Sequence, residues 1–210
     1  MYNMNTHELS QATHDTIEHY NKNAEDYREG TRTHDVSQNI NALLSYIEGN
    51  TPFTLLDFGC GPGRDLKTLA GLGHIAVGLE GAAQVAEMAR IDTGCEVWHQ
   101  NFLNLELPNA FFDGVYANAS LFHIPSQKLT QVLQEINQTL KPRGVLFASN
   151  PHGHNEESIG SGRYGAYYDI ETWRTLVIAA GFVELTHYYR PAHLPRNQQP
   201  WLASVWRKNT

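Results

Sequence analysis

Three glycines at alternate positions, Gly59, Gly61 and Gly63, stand between an apolar run at residues 53–58 and an amphipathic segment that begins near Arg64. This order predicts a buried strand, a tight turn and a helix. Glycines in such a turn allow positive φ and let a ligand approach without a Cβ in the way. The helix N-terminus behind the turn offers unpaired N–H donors. The stretch therefore predicts a site for a ligand that carries a negative group.

Two acidic residues flank this turn. Asp57 precedes it, and Glu80 follows Gly59 by 21 residues, at the end of a second predicted strand. An acid about 20 positions after a glycine turn suits the two hydroxyls of a ribose. A nucleoside-bearing ligand is therefore the first hypothesis. The glycine spacing is GxGxG, which differs from the GxGxxG of dinucleotide-binding proteins.

Composition limits the class of protein. The chain has 210 residues, a formal net charge of −7 and no run among its 15 Lys and Arg residues. One domain is the simplest organisation at this length, and the acidic balance argues against nucleic acid as a partner. Cys60 and Cys95 give no disulfide or metal spacing, and no apolar run approaches the ~18 residues of a membrane span. We expect a cytoplasmic protein without a metal site and without a membrane partner.

Strand and helix signals alternate along the middle of the chain. Apolar runs with amphipathic segments between them predict five strands, at residues 53–58, 74–79, 96–98, 111–117 and 145–149. Five such units predict a doubly wound, mainly parallel Rossmann-like sheet of the α/β class. Two later runs, 182–189 and 201–207, have no helix between them, so we expect them to complete a seven-stranded sheet as an antiparallel pair at one edge.

The segments outside this alternation divide the single domain into parts. Helices predicted at residues 11–28 and 35–48, after a frayed start at residues 1–9, form an N-terminal cap over the ligand end of the sheet. Residues 150–168 contain four glycines and three tyrosines without a period, which predicts a long binding loop or a disordered one. We therefore assign residues 1–50 to a cap, 51–150 to a cofactor-binding half, and 151–210 to a substrate loop and hairpin.

The stretch Leu-Asp-Phe-Gly-Cys-Gly-Pro-Gly-Arg at residues 56–64 resembles motif I of the class I S-adenosylmethionine methyltransferases. The resemblance covers about residues 15–208. It implies S-adenosyl-L-methionine as the cofactor and S-adenosyl-L-homocysteine as its product. From the lid through the methionine and ribose ends to adenine and the methyl group, the matching residues are Tyr20, Tyr27, Asp57, Gly59, Cys60, Gly61, Gly63, Glu80, Gly81, Asn101, Phe102, Asn118 and Ala119.

Three stretches together, residues 118–126, 149–167 and 187–206, look like the methyltransferases of ovothiol biosynthesis, which methylate a ring nitrogen of 5-thiohistidine. In many members this domain is fused behind an iron-dependent sulfoxide synthase. The resemblance therefore implies methyl transfer to a ring nitrogen of a small thiohistidine-type substrate, and a functional pairing with a sulfoxide synthase.

Such a transfer needs an acceptor nitrogen with a free lone pair, so a base or a hydrogen-bond acceptor should hold the proton on the other ring nitrogen. Candidates for this role, drawn from the loops at the ends of the fourth and fifth strands and from the cap, are His123, Tyr164, Asn150 and Asp35. The chemistry does not require a metal.

An amino-acid substrate also needs its charges recognised. Arg163 is the first candidate for the substrate carboxylate and Arg190 the second, because a guanidinium pairs with a carboxylate as a fork. Tyr167 belongs to the same glycine-rich stretch as Arg163.

Two alternatives for the function of the protein stay open. One is a methyltransferase for a different small molecule, and the other is a nicotinamide-dependent oxidoreductase or a nucleoside-binding module without catalysis.

Overall fold

Parallel strands connected by helices form the centre of the structure, a computed structural model that describes residues 4–209. The strands are β1 (Thr54–Phe58), β2 (Ile75–Glu80), β3 (Glu96–His99), β4 (Phe112–Asn118), β5 (Leu140–Pro151), β6 (Glu156–Gly160), β7 (Arg163–Tyr167), β8 (Phe182–Arg190) and β9 (Trp201–Lys208). The helices are α1 (Thr6–Lys22), α2 (Ala24–Thr31), α3 (Ser37–Leu44), α4 (Arg64–Gly71), α5 (Ala83–Thr93), α6 (Ser126–Thr139) and α7 (Ile170–Ala179).

Seven of these strands form the main sheet in the order β3-β2-β1-β4-β5-β9-β8. The first five run parallel, and β9 is antiparallel to both of its neighbours, β5 and β8. The predicted fold class is therefore confirmed. The strand order reverses between β1 and β4, and in open α/β sheets ligands bind at the carboxyl ends of the strands at such a point. The glycine turn leaves β1 at that place.

Burial follows the alternation of the strands and the stripe of the helices. Leu56 and Phe58 of β1 face one side of the sheet, and Leu55 faces the other; all three are fully buried. Helix α6 covers the first side with the apolar stripe that the sequence predicted, Leu129, Val132, Leu133 and Ile136. A sheet covered on both faces holds the ends of β1 and β4 in fixed positions.

The cap differs from its prediction in three places. Helix α1 begins at Thr6 because Asn5 caps it, accepting from the backbone N–H groups of His7 and Glu8. The predicted fraying is therefore wrong for residues 4–9, while residues 1–3 lie outside the described part. The single helix expected at 11–28 is interrupted at Asn23, whose backbone and side chain both donate to His19 O. This break turns α2 toward the glycine turn. The second predicted helix is shorter than expected, at Ser37–Leu44.

The glycine-rich stretch is a β-hairpin, so the prediction of a long loop there is wrong. Strands β6 and β7 form a separate two-stranded sheet and are joined through Ser161 and Gly162, both with positive φ. Two such residues make the tight turn whose twist suits a hairpin. Tyr164 and Ala166 alternate onto the buried face, and Tyr164 N donates to Thr16 Oγ1 at 2.9 Å. The hairpin is thereby attached to α1 and forms a second wall of the ligand end.

Among the helices of residues 4–209, none combines the length and apolarity that a membrane crossing needs.

Candidate active site

The glycine turn brings the end of β1 against the ends of β2 and β4. Gly59 N and Cys60 N both donate to Leu79 O, at 2.8 and 3.0 Å. Gly59 has φ +76°, and a Cβ there would lie 2.4 Å from Ser120 Cβ. A side chain at this position would therefore be strained and would collide with the loop after β4. The turn is a cradle in which backbone faces the ligand.

Glu80 supports this turn from the end of β2. Its Oε2 accepts from Gly61 N at 3.0 Å and its Oε1 from Ala82 N at 2.8 Å. Burial raises the pKa of the Glu80 carboxyl, and these backbone donors oppose that shift by stabilising the anion. Each carboxylate oxygen keeps acceptor capacity for a further donor. The carboxylate thus holds the loop and can also accept from the hydroxyls of a ribose.

A cavity, here called the inner cavity, lies between this turn and the cap. Tyr20 and Tyr27 of the cap cover it, and Phe102 forms its side, 4.6 Å from Phe58 between ring centroids. Seven of the sequence-predicted cofactor residues line it, namely Tyr20, Tyr27, Gly59, Glu80, Gly81, Phe102 and Ala119. An aromatic side wall above a ribose-binding acid suits a nucleoside.

Four other predicted cofactor residues have different surroundings. Asn101 is exposed outside the inner cavity, and its Oδ1 accepts from Leu103 N at 2.9 Å in a local turn. Cys60 is largely buried within the turn and borders the larger opening described next. A Cβ on Gly61 would lie 2.9 Å from the Tyr27 hydroxyl, so this glycine admits the Tyr27 ring. Gly63, at φ +92°, caps α4 and packs on α5.

A second and larger opening, here called the outer cleft, continues from the inner cavity. The two share Tyr20, Tyr27, Gly59 and Ala119 as walls. The outer cleft brings together residues from the cap, the glycine turn, β4, the hairpin and the edge strand. Its charged and polar side chains include Asp35, Asp57, Asp65, His34, Arg64, Asn118, Arg163 and Arg190, of which Arg64 is paired with Asp65, and Phe122 and Trp201 add aromatic surface.

Asp57 is 2% exposed and lines the outer cleft, and its Oδ2 has no hydrogen-bond partner within residues 4–209. Burial beside Asp65 raises the pKa of the Asp57 carboxyl. A buried carboxyl oxygen without a donor costs free energy unless a ligand supplies one. The cofactor of the resembled family carries an amino group at its methionine end, so Asp57 and the cradle at Gly59 fit it.

Both ring nitrogens of His123 have hydrogen-bond partners. Its Nδ1 lies 2.7 Å from Tyr164 O, and its Nε2 lies 2.8 Å from the Tyr20 hydroxyl. A carbonyl oxygen only accepts, so Nδ1 carries the proton and Nε2 accepts from Tyr20. Burial lowers the pKa of His123 to about 4, against the opposing effect of the Tyr164 carbonyl. The imidazole of His123 is therefore neutral, and its lone pair already accepts a hydrogen bond. This favours a role for His123 in positioning Tyr20 over the predicted role as a base.

Three further predicted residues do not reach the outer cleft. Tyr164 is 1% exposed, and its hydroxyl accepts from Ser126 N at the start of α6. Asn150 continues the face of β5 that carries Ala148, so strand alternation places it in the core. The Tyr167 ring packs over Gly165. None of the three lines the inner cavity or the outer cleft, which argues against contact with a substrate there.

Asp35 and Arg190, two of the residues predicted from the sequence to bind substrate, meet at the mouth of the outer cleft. Arg190 Nη2 donates to Asp35 O at 3.2 Å, and Asp35 Oδ1 accepts from Ser37 N at 2.9 Å. The Ser37 backbone N–H and the positive charge of Arg190 lower the pKa of the Asp35 carboxyl. Asp35 is therefore a carboxylate at neutral pH.

A buried amide network beneath the outer cleft was missed from the sequence. The Tyr188 hydroxyl donates to Asn39 Oδ1 at 3.0 Å, Asn39 Nδ2 to Asn118 Oδ1 at 3.1 Å, and Asn118 Nδ2 to Asp65 Oδ2 at 3.0 Å. Arg64 pairs with both oxygens of Asp65, at 2.6 and 3.0 Å. The one available signal was a polar residue, Asn39, next to the apolar stripe of α3. Its partners are too distant in sequence to be inferred.

Comparison with known proteins agrees with this geometry. Residues 56–148 match the methyltransferase domain family. The 24-methylenesterol C-methyltransferase 2 of Oryza sativa subsp. japonica is 33% identical over 130 residues, which cover 58% of this chain and 34% of that protein. Trans-aconitate 2-methyltransferase of Azoarcus sp. is 30% identical over 118 residues, covering 55% of this chain and 46% of that protein. The matches thus span less than half the length of either relative.

A solved structure covers the whole chain. The crystal structure of Burkholderia thailandensis 1,6-didemethyltoxoflavin-N1-methyltransferase with bound 1,6-didemethyltoxoflavin and S-adenosylhomocysteine has a TM-score of 0.77 and 20% sequence identity, covering 100% of this chain and 93% of that chain. At this identity the likeness shows the fold. The domain match favours the methyltransferase hypothesis over the nicotinamide-dependent and non-catalytic alternatives.

Proposed function

We propose that this class I S-adenosylmethionine-dependent methyltransferase methylates a ring nitrogen of a small thiohistidine-type amino acid, the reaction of ovothiol biosynthesis. The observation that carries the proposal is the charge arrangement of the outer cleft, in which Arg163 and Arg190 stand with Asp35. A zwitterionic amino acid carries one carboxylate and one ammonium. The two arginines suit the carboxylate, and Asp35 suits the ammonium.

Arg163 is the stronger candidate for the substrate carboxylate. Its Nη1 donates to the Tyr20 hydroxyl at 3.2 Å, while its Nε is buried and has no hydrogen-bond partner within residues 4–209. The ion pairs found in that part of the chain do not include Arg163. A desolvated cationic donor without an acceptor is costly, and a bound carboxylate removes that cost. The guanidinium is thus prepared for an anionic ligand.

The aromatic surface of the outer cleft supports a flat acceptor. Phe122 and Trp201 line the cleft near Arg163, and Phe122 lies beside His123, 3.9 Å apart between ring centroids. An imidazole ring can pack against such surfaces while its amino-acid head group reaches the charged mouth. The trans-aconitate enzyme, by its name, acts on a carboxylic acid, so the arginines alone would also suit an acid without an ammonium. Asp35 favours the amino acid.

The residues of the chain act in this reaction by binding, orienting and excluding water. S-adenosylmethionine, when bound, supplies an electrophilic methyl group on a sulfonium. Gly59 and Glu80 would hold its nucleoside end in the inner cavity, Asp57 would accept from its amino group on the side of the outer cleft, and Tyr20 and Tyr27 form walls of both openings. Because both cavities share the walls Gly59 and Ala119, the acceptor would lie next to the methyl donor. Alignment and exclusion of water then supply most of the rate enhancement.

Methyl transfer also depends on the protonation state of the acceptor. Both nitrogens of His123 already have partners, so this side chain holds Tyr20 and does not remove a proton. An imidazole attacks through the nitrogen that lacks hydrogen, and the cleft has only to bind that tautomer. On this proposal, the substrate is supplied by a reaction that introduces sulfur into histidine, as a sulfoxide synthase pathway does.

The proposal is tested by methyl transfer to defined acceptors. We expect purified protein to bind S-adenosylhomocysteine and not NAD in calorimetry. We also expect it to transfer a radiolabelled methyl group to 5-thiohistidine and not to histidine or trans-aconitate. Asp35→Asn raises the KM for 5-thiohistidine several-fold, because the ammonium loses its carboxylate. Asn41→Asp, on an exposed position of α3, is the control and leaves KM unchanged. Transfer to trans-aconitate alone contradicts the proposed substrate.

A further inference from the structure

The hydroxyl of Tyr20 joins two segments that are distant in sequence. It lies 2.8 Å from His123 Nε2 and 3.2 Å from Arg163 Nη1, and the guanidinium carbon of Arg163 is 5.6 Å from the Tyr20 ring centroid. Tyr20 lines both the inner cavity and the outer cleft. Sequence analysis assigned Arg163 to the acceptor alone. The structure connects it to the wall of the cofactor cavity.

The donor and acceptor roles in this chain of groups allow one arrangement. Tyr164 O accepts from His123 Nδ1, which leaves Nε2 bare. Within residues 4–209, the hydrogen that satisfies Nε2 is that of the Tyr20 hydroxyl. The Tyr20 oxygen then has lone pairs for the cation of Arg163. The orientation of the Tyr20 hydroxyl is therefore fixed from two sides, by the loop after β4 and by β7.

We propose that Arg163 and His123 are positioning residues that hold Tyr20 over the bound cofactor, so that the hairpin β6–β7 helps to retain S-adenosylmethionine and S-adenosylhomocysteine. This inference depends on the cofactor and not on the identity of the acceptor. The Nε of Arg163 is left without a partner, as described above. The bond to Tyr20 uses Nη1 alone, so the other donors of the guanidinium can bind an anionic acceptor while Tyr20 stays in place.

A double-mutant cycle on cofactor affinity tests the inference without any acceptor. The variants are Tyr20→Phe, Arg163→Met and their combination, and calorimetry measures the Kd of S-adenosylhomocysteine. Losing a charge-assisted hydrogen bond weakens binding about 5- to 20-fold in Arg163→Met. The double variant binds no more weakly than Tyr20→Phe alone, because both substitutions remove the same bond.

A matched control separates this effect from general loss of charge. Arg196 also lies over a tyrosine ring, that of Tyr189, at 3.4 Å, but it is exposed and lines neither opening. Arg196→Met leaves the Kd unchanged. Where Arg163→Met does not fold, Arg163→Lys replaces it, since the shorter ammonium keeps the charge and loses the fork. This variant weakens binding in the same direction.

A spectroscopic readout reports the arrangement directly. In nitrogen-15 NMR we expect His123 to be the neutral Nδ1–H tautomer. We also expect Tyr20→Phe to shift the Nε2 resonance, which would not happen if Tyr20 had a merely structural role. The inference is overturned if the two single-variant losses of affinity for S-adenosylhomocysteine multiply in the double variant. It is also overturned if Arg163→Met has the same Kd as Arg196→Met. Either result leaves methylation of 5-thiohistidine intact. Conversely, the expected cycle in a protein that does not methylate 5-thiohistidine supports the inference and rejects only the proposed acceptor.

Discussion

Asn39→Asp is a sharp perturbation of the network beneath the outer cleft, because it changes donor capacity almost without changing size. Asp65 is paired with Arg64 and only accepts, so Asn118 must present its NH₂ to Asp65 and its oxygen to Asn39. Asn39 must therefore donate. A carboxylate at position 39 would place an oxygen opposite Asn118 Oδ1, across the 3.1 Å that the amide hydrogen bond now spans.

The cost follows from these contacts. Asn39 is fully buried, so the substitution removes one internal hydrogen bond and leaves a buried acceptor unpaired. The lost bond is worth about 1 kcal/mol and the unpaired acceptor about 1–3 kcal/mol. We expect the free energy of unfolding to fall by about 2–4 kcal/mol at pH 7, measured by urea unfolding. Asn118 lines the outer cleft, so kcat/KM for the methyl acceptor should fall about 10-fold or more.

The deficit should depend on pH. Burial raises the pKa of the carboxyl introduced at position 39, and its protonated form can donate to Asn118 as the amide does. The penalty is therefore fully present above the folded pKa, shrinks as the pH falls through it, and is absent below the unfolded pKa of about 3.9. The charged groups of the network, Asp65 and Arg64, are the same in both proteins and cancel in the comparison. Unfolding between pH 5 and 8 measures the trend.

Asn41→Asp is the matched control, because it makes the same chemical change two positions along the same helix on an exposed residue. A surface substitution of this kind changes stability by no more than about 0.5 kcal/mol. Equal stability of the two variants at pH 7 would refute the reasoning. So would a deficit in Asn39→Asp that stays constant across the pH range.

The remaining predictions concern the inner cavity and the core. Glu80→Gln leaves a backbone N–H of the turn unpaired and raises the Kd of S-adenosylhomocysteine about 10- to 100-fold in calorimetry; an unchanged Kd contradicts the ribose role. Gly61→Ala, at φ +54° and 2.9 Å from the Tyr27 hydroxyl, weakens the same binding, whereas Gly30→Ala, with nothing within 4 Å, does not. Trp173→Phe removes a buried indole hydrogen bond of 3.0 Å and lowers the free energy of unfolding by about 2–3 kcal/mol in urea titrations.

Sequence signals located the sheet well, because each strand of the parallel part is a short apolar run between glycines or polar turns. The exception is informative. The fifth strand was predicted to begin at residue 145, yet β5 already begins at Leu140. Leu140 pairs with Phe112, and the register then shifts before Val145 pairs with Gly114. Arg143 takes positive φ inside this irregularity. Residues 141–144 therefore bend a strand that continues through them, and the predicted start of the fifth strand was too late in the chain.

The hairpin β6–β7 was missed for a different reason. Its glycines and tyrosines carry no clear alternation, because only Tyr164 and Ala166 form the buried side and the partner strand is mostly exposed. A two-stranded sheet is marginally stable alone and needs packing against another element. Here that element is α1, more than 140 residues earlier in the chain, through the bond from Tyr164 N to Thr16. Local sequence cannot reveal such a contact.

The same distinction applies to the site. The cradle at Gly59 and the acid Glu80 lie within one strand-helix-strand unit, so their spacing alone predicted where they meet. His123 has its hydroxyl partner at Tyr20, 103 residues away, and that contact decides whether its lone pair is free. The residue type was noticed, but the partner that changes its role was invisible.

On the proposed function, acceptor recognition is separable from cofactor recognition. The outer cleft draws Asp35 from the cap, Arg163 from the hairpin and Arg190 from the edge strand, none of which belongs to the glycine-turn unit. Substitutions at Asp35 and Arg190 can change the acceptor while Glu80 and the turn still bind the cofactor. Arg163 is the exception, since its bond to Tyr20 ties the two sites together. A variant in which Arg163 is replaced to bind a different acceptor must also supply a new hydrogen-bond partner for the Tyr20 hydroxyl.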